Sequence, residues 1–437
     1  MTMTTLDFIP ADTLFFRDSR PLQAGSGYGR GANWPLPGVL HSALRTALLR
    51  KAGALPDGKR TDGFVRPRQR ESGRTEIRIG AAEFQWLNLQ GPFPVDGAGC
   101  IYFPMPRDLV PGANGSAARL RPEVNQPGEN DLPSMLTHRL ASYERPSKTG
   151  LGDWVDGEFL CRYLASDGHL PAPKKIALWD AEARIGVAID PVTQTAAEGR
   201  LYAAEHLRLR RDVRLRFGVA DPPDHKGQMP GEHDLTAADL AGTTLQLGGE
   251  QRFGHVVKAD TPLALPSAPI RGSRVEWLLL TPAIFVHGWR PGWIGDQGEV
   301  KLREVPPRNE ARRQRRRARR QEGWTYDEAE DEALPIRARL VAACIGKPQV
   351  LGGWELLGET NDPSDGPGRA KATFLAVPAG SVFYFEATGD NPTAEAARLG
   401  KVLQARCRSD FYGEKGFGLG VCGTWDFCGN VAGRPPK

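Results

Sequence analysis

The stretch Pro37-Gly38-Val39-Leu40-His41-Ser42-Ala43-Leu44-Arg45-Thr46-Ala47-Leu48 is where the fold begins to be readable. Val39, Leu40, Ala43, Leu44, Ala47 and Leu48 recur at i, i+3 and i+4, which predicts an amphipathic helix. Pro35 and Pro37 stand at its start, where proline is tolerated. His41 and Arg45 lie one turn apart on another face. Upstream, Leu6-Asp7-Phe8-Ile9 reads as a strand. Between strand and helix runs a loop with Arg17, Asp18, Arg20, Arg30 and the alternating glycines Gly25, Gly27, Gly29 and Gly31.

Downstream, short strands are expected near Glu76–Ile79, Phe84–Leu89 and Cys100–Phe103. Pro104 to Lys148 is rich in Pro, Gly, Asn and Arg and reads as an irregular insertion. A strand pair is predicted at Ile185–Ile189 and Glu198–Leu207, joined at Asp190-Pro191. A strand at Val213–Val219, a short helix at Leu235–Leu240 and a strand at Val256-Val257 follow. Thr261 to Pro269 reads as a linker, and then the pattern begins again. Strands are expected at Val275–Leu280, Ala338–Ile345, Thr373–Val377, Val382–Glu386 and Gly423–Phe427. Helices are expected near Glu310–Gln321 and over Thr393–Cys407, the latter capped by Thr393 with Glu395 in its first turn.

Two successive runs of strand, helix, two strands, helix and strand give the ferredoxin-like order. The expected fold class is α+β, with two tandem ferredoxin-like (RRM/RAMP-type) domains and long loop insertions. The first spans 1–262 with a large insertion at about 55–150. The second spans 263–437 with a charged insertion at about 308–332. No sequence repeat links the halves, so their pairing rests on element order alone.

Composition agrees with a turn-rich fold. The 437 residues include 51 Gly and 36 Pro, about one residue in five, against an ordinary share of about 12%. So much Gly and Pro argues against a helical bundle. No apolar run reaches the length of about 18 residues needed for a membrane span. The start lacks a basic region followed by an apolar stretch, so no signal peptide is expected. Cys100, Cys161, Cys344, Cys407, Cys422 and Cys428 form no C-x-x-C and read as reduced thiols of a cytoplasmic protein. The formal charge of +5 permits an anionic partner.

Four segments bear on chemistry. The loop Gly25–Gly31 before the helix is a candidate phosphate cradle, with Arg17 and Arg45 as cations; the plain alternative is a strand–loop–helix with solvated charges. His41 near it is a candidate RNA contact or a general base in RNA cleavage, and a structural or contact role suits it better. Arg66 and Arg68, two apart, share one face of an extended strand that fits a phosphate backbone, or they belong to a basic loop. Arg308 to Arg320 holds eight arginines and one Glu, and Glu322 to Glu332 holds six acids; this pair is a solvated insertion or an RNA contact. The glycine-rich end, with Lys415, Gly416, Gly418 and Gly420, allows close backbone approach to a phosphate. Its match to a dinucleotide fingerprint is rejected, because too little chain follows for a βαβ unit. There is no Walker A loop, no H-E-x-x-H and no G-x-S-x-G. His225 and His233 are not read as a metal pair.

Several pieces, in order, resemble the RAMP superfamily of CRISPR proteins and, within it, the third-subunit family of type III-B (Cmr) effector complexes. They are Asp12-Thr-Leu-Phe-Phe-Arg-Asp18, Trp34-Pro-Leu-Pro37, Ala43-Leu-Arg45, Gln90-Gly-Pro-Phe93, Tyr102-Phe-Pro-Met-Pro-Arg-Asp108 and Arg184-Ile-Gly-Val187. Glu198-Gly-Arg-Leu-Tyr202, Leu247-Gly-Gly-Glu250 with Arg252, Gly352-Gly-Trp354, Val377-Pro-Ala-Gly-Ser381 and Gly416-Phe-Gly418 complete the set. Ser42 departs from the pattern, where members usually show glycine.

The resemblance implies a cytoplasmic, non-catalytic antiviral-defence subunit that binds the 5′ tag of the CRISPR RNA. It implies contact with the large Palm-domain subunit and the backbone RAMP subunits, and with target RNA only indirectly. No cofactor, metal or membrane is expected. Arg17, Gly25, Gly27, Gly29, Arg30, His41, Arg45, Arg66 and Arg68 are expected on one wall of the RNA site. Arg252, Lys415, Gly416, Gly418 and Gly420 are expected on the other, with the Leu55–Gly150 insertion as a thumb. The alternatives are a metal-independent endoribonuclease that processes CRISPR precursor RNA, using His41, and a protein-only scaffold.

Overall fold

The computed structural model describes residues 3–425, apart from 18–26, 30–31, 53–54, 57–63, 70–74, 80–83, 85, 113–115, 127, 129, 143–149, 166–169, 191, 221–234, 305–332 and 356–368. The Arg308–Glu332 block, Gly25, Arg30, His225 and His233 therefore lie outside the described residues.

Strand β1 (Met3–Pro10) places Leu6 and Phe8 in a core and Asp7 on the opposite side of the sheet. Helix α1 (Pro37–Lys51) has proline in its first turn and Arg50 and Lys51 in its last, where cations suit the helix dipole. It buries Leu40, Leu44 and Leu48 against Leu6, Phe8 and Phe217. Phe84 and Trp86 lie in a turn rather than in the strand expected over Phe84–Leu89. Phe84 has a positive φ of 59°, and the Leu87 amide donates to its carbonyl at 3.1 Å. Strand β2 (Leu89–Val95) begins after it.

Helix α2 (Gly157–Leu164), capped by the Asp156 carboxylate on the Phe159 amide at 2.8 Å, leads on to a long hairpin of Trp179–Ile189 and Ala196–Leu209. Strands β3 (Arg214–Ala220) and β4 (Phe253–Lys258) join the first sheet in the order β4-β1-β3-β2, every pair antiparallel, with the short strand Thr244–Gln246 at the β4 edge. This is the ferredoxin-like arrangement. Among the described residues a 3₁₀ turn, Ala237–Leu240, stands where the second helix belongs.

The second half repeats the topology with the opposite helix retained. Strands β5 (Arg274–Leu279), β6 (Ala338–Cys344), β7 (Val382–Ala387) and β8 (Leu419–Gly423) order as β6-β7-β5-β8, again antiparallel throughout. Helix α3 (Pro392–Leu403) lies between β7 and β8. Its cap is Asn391, whose side chain accepts from the Ala394 amide at 3.1 Å, and not Thr393. The helix stops at Leu403, and Arg406–Cys407 is already strand. Among the described residues no helix follows β5; Phe285, Ile294 and Val300 fill that place beside α3.

The second sheet is covered on both faces. Trp277, Phe383 and Phe385 pack against Leu399 and Leu403 of α3. Leu278, Val382, Leu419 and Val421 pack against Phe93, Phe103, Phe159 and Leu160, which belong to the first half of the chain. Most of the segment expected as an irregular insertion is thus a cover for the second sheet. It is built from short ladders at Tyr102–Pro104 with Trp154–Asp156, Leu109–Pro111 with Ala117–Arg119, and Arg121–Val124 with His138–Ala141.

A polar cluster fixes that cover. Arg119 ion-pairs with Asp108 at 3.3 Å and with Glu276 of β5, and both carboxyls are fully buried. Asp108 also accepts from the Tyr163 hydroxyl at 2.9 Å and the Tyr384 hydroxyl at 2.6 Å. The Arg119 guanidinium lies 3.8 Å over the Tyr163 ring and donates to the Tyr163 carbonyl at 3.0 Å. One cation therefore serves two carboxyls, and Glu276 Oε1 has no hydrogen-bond partner. Burial, with some help from Asp108 and against the pull of Arg119, pushes the Glu276 carboxyl up to about 8.

On the first sheet Arg216 clasps Asp7 through two bonds of 2.8 and 2.9 Å and donates to the Thr261 hydroxyl at 2.7 Å. That bond draws the proline-rich linker across the sheet face away from α1.

Glu276 gives a direct test. The folded chain holds a proton on it that the unfolded chain releases above the ordinary value of 4.5. Stability contributed by this proton is full below that value and is lost as pH rises to about 8. Urea unfolding between pH 5 and 8 is expected to show this decline in the parent chain and a flatter dependence in Glu276→Gln. Parallel pH profiles for the two would refute it. Arg119→Leu strands Asp108 in the core and is expected to cost about 3–5 kcal/mol.

Candidate functional site

A groove of about 800 Å³ runs between α1 and the second half of the chain. Arg17, Arg50, Lys371 and Lys415 line it, and no described lining residue is acidic. Phe16, Phe374, Tyr412 and Phe417 supply its aromatic surface. On α1 the groove face is made of small residues, Gly38, Ser42, Ala43 and Thr46. Ser42 is exposed there and donates to the Gly38 carbonyl at 2.9 Å, so its departure from glycine leaves the helix packing intact.

Two of the cations, Arg17 and Lys415, are presented from fixed backbone. Phe15 and Phe16 are buried, and their carbonyls accept from Gly249 at 2.8 Å and Ala32 at 2.7 Å. Arg17 emerges exposed just beyond them. Lys415 sits on a turn pinned by Asp410, whose carboxylate accepts from the amides of Val286 at 2.9 Å and Gly292 at 2.7 Å. Tyr412 on this turn has a left-handed backbone, φ 60°, which is uncommon for a bulky residue. The Lys415 ammonium lies 3.8 Å from the Tyr412 ring centroid. Burial holds that ammonium below the usual lysine range; Glu414 opposes the shift, while the charges of Lys371 and Arg45 add to it. Positive charge is thus concentrated around Lys415.

Arg17 and Lys415 from the sequence expectation meet in this groove, and Arg45 is near enough for its charge to act on Lys415. His41 does not reach it. It is 7% exposed in the core behind α1, and its Nε2 donates to the Leu87 carbonyl at 3.1 Å. Burial, its largest influence, pushes the imidazole down to about 4. Arg252 points elsewhere, to Asp12 at 3.5 Å.

The terminal glycines are packing positions. Gly416, Gly418 and Gly420 are all buried. A Cβ on Gly418 would strike the Ser409 backbone, and one on Gly420 the Trp277 indole. The segment taken for a phosphate-binding loop is thus partly β8, with small residues demanded by a large neighbour. Gly27 and Gly29 lie in a three-residue strand parallel to 202–204, and Arg66 and Arg68 in the strand Phe64–Gln69 opposite Arg78 and Glu76. Lys371, Arg50, Phe374 and Tyr412 were not singled out by the sequence. They come from separate segments with no shared motif, and only Arg50, on the same helix as Arg45, left a periodic signal.

Among the described residues no group of three or more His, Cys, Asp or Glu is placed to hold a metal ion. None of their helices is long and apolar enough to cross a membrane.

A family model described as CRISPR-associated protein (Cas_Cmr3) matches residues 7–425. No curated protein sequence matches the chain. Among solved structures it is similar to a chain in the type III-B Cmr-beta complex bound to cognate target RNA and AMPPnP. That match has 14% identity and a TM-score of 0.42, and covers 87% of this chain and 86% of that one. It is also similar to a chain in the Csm3–Csm4 subcomplex of the type III-A interference complex. There the identity is 12% and the TM-score 0.33, over 89% of this chain and 94% of that one.

Two measurements check the local assignments. Gly420→Ala is expected to lower unfolding stability by about 1–3 kcal/mol through overpacking against Trp277; an unchanged melting midpoint would show that the position tolerates a side chain. His41, followed by its imidazole carbon protons in NMR, is expected to stay neutral from pH 8 down to about 5, and titration near 6.5 would place it in solvent.

Proposed function

The chain belongs to the Cas_Cmr3 family of CRISPR-associated proteins, subunits of type III effector complexes, and from that premise we propose that its groove holds the 5′ tag of the CRISPR RNA. The observation that carries the proposal is that Arg17, Lys371 and Lys415 line one groove interleaved with aromatic rings, with no carboxylate among its described lining residues. A phosphate backbone gains most where positive charge has no acid to neutralise it. The rings suit unpaired bases, which a single-stranded tag supplies.

In this proposal Arg17, Lys371 and Lys415 contact phosphates, with Arg45 and Arg50 reinforcing the field. Arg66 and Arg68 lie on the hairpin Phe64–Gln69 with Thr75–Ile79, which takes the thumb role. Residues 93–141 are largely occupied in covering the second sheet. The long hairpin exposes Ile185, Val187 and Ile189 along one strand, with Val192 at its tip. An apolar ribbon of this kind suits docking to a neighbouring protein subunit, here the large Palm-domain subunit or the first backbone subunit, better than it suits phosphate.

A non-catalytic role is supported by His41. A general base must reach the proton it removes, and this imidazole is buried with its Nε2 hydrogen committed to Leu87.

Binding of tag RNA to the purified protein at stepped salt tests the proposal. Lys371→Ala and Lys415→Ala are each expected to weaken binding across sequences and to flatten the slope of log K against log salt by about 0.7. Unchanged affinity and slope in both variants would remove the groove as the RNA site. No binding by the parent protein at low salt would favour a protein-only scaffold. Discrete cleavage products in EDTA would favour an endoribonuclease.

A further inference from the structure

We propose that Tyr412 and Phe374 form a stacking platform for one unpaired base of the strand in the groove, so that the site selects single-stranded RNA by the face of a base as well as by phosphate charge. This rests on the groove being an RNA site.

The two rings meet edge to face, centroids 5.8 Å apart and planes at 81°. Phe411 extends the patch, 5.3 Å from Phe374. Tyr412 and Phe411 stay 36% and 39% exposed, although both follow Ser409 and Asp410, which are tied by hydrogen bonds to the segment 284–292. Exposed aromatic surface on a fixed turn, beside the lysines Lys371 and Lys415, is the composition that binds bases and backbone together.

The backbone of Tyr412 adds an independent observation. A left-handed conformation favours glycine or asparagine, yet a tyrosine occupies it. The turn Tyr412–Gly416, closed by the Lys415 amide on the Tyr412 carbonyl at 3.0 Å, holds the ring over the groove rather than in the core. Lys415 lies against that ring and Lys371 lines the same groove, so phosphates on either side of a stacked base would meet a cation. Paired bases in a duplex present no free face and would gain nothing here.

The test uses the full chain and a series of tag RNAs, each with 2-aminopurine or an abasic site at one position. At one position the parent protein should quench 2-aminopurine. Tyr412→Leu, which keeps apolar bulk without the ring, should lose the quench and bind about tenfold more weakly with an unchanged salt slope. Tyr412→Phe should retain both. An abasic site at that position should erase the difference between the parent and Tyr412→Leu. Full affinity in a folded Tyr412→Leu, a loss accompanied by a flatter salt slope, or a difference that no abasic site erases would overturn the platform while leaving the groove proposal standing. Insensitivity to Lys371→Ala and Lys415→Ala would instead remove the groove itself, and the platform with it.

Discussion

A single guanidinium joins the two halves of this chain. Arg119 comes from a short ladder in the first half, and Glu276 from the first strand of the second sheet. Asp108, Tyr163 and Tyr384 complete the set from three further segments. A bare apolar contact would let the cover slide on the sheet, because dispersion and burial are nearly indifferent to register. Charges taken out of water are not indifferent: each must find its partner at hydrogen-bond distance or be left at high cost. The cluster therefore fixes one docking of the described residues between 93 and 170 on β5 and β7, and the apolar contacts of Phe93, Phe103 and Leu160 follow from that placement.

That docking decides where a ligand can go. In a lone ferredoxin-like sheet the face opposite the helices is open. Here the second sheet's open face is occupied by the chain's own cover, and the first sheet's is crossed by the linker that Arg216 holds through Thr261. One accessible space between the halves is the groove along the solvent side of α1, bordered by the turn at Lys415. Among the described residues the first half shows the helix after its first strand and the second half the helix after its third.

The core strands were legible because their apolar residues run continuously or alternate, as in Leu6–Ile9, Val275–Leu280 and Val382–Glu386, and α1 was legible from its 3.6-residue repeat. The cover was not. Its ladders are three or four residues long, too short for periodicity, and the bond that docks them, Arg119 to Glu276, spans 157 residues of chain. β8 was misplaced for a different reason. Gly416-Phe-Gly-Leu-Gly420 has the composition of a loop, but Leu419 and Val421 point into one core while Gly420 yields space to Trp277 on the other side. Composition reported the glycines, and only packing could report why they were there. The groove was half legible: Arg17 and Lys415 carried a signal, whereas Lys371 and Tyr412 reach it only through folding.

The net charge of +5 says little about where an anion would bind, and the ion pairs show why. Along the long hairpin, Arg184 and Arg208 share Asp12 and Glu182, and Arg252 adds to Asp12. The bonds from Arg208 and Arg184 hold the Glu182 carboxyl down to about 2, so these cations are neutralised across the whole physiological range. Near α1 the charges of Lys371 and Arg45 press on Lys415, and Glu414 opposes them. Equal charges thus differ in what they can do for a phosphate. An arginine already bonded to a carboxylate must break that bond to bind, whereas a lysine held among like charges is relieved by an incoming anion. By that criterion Arg252, though flanked by a glycine turn and suggestive in sequence, is already paired with Asp12, whereas Lys415 lies among the charges of Lys371 and Arg45.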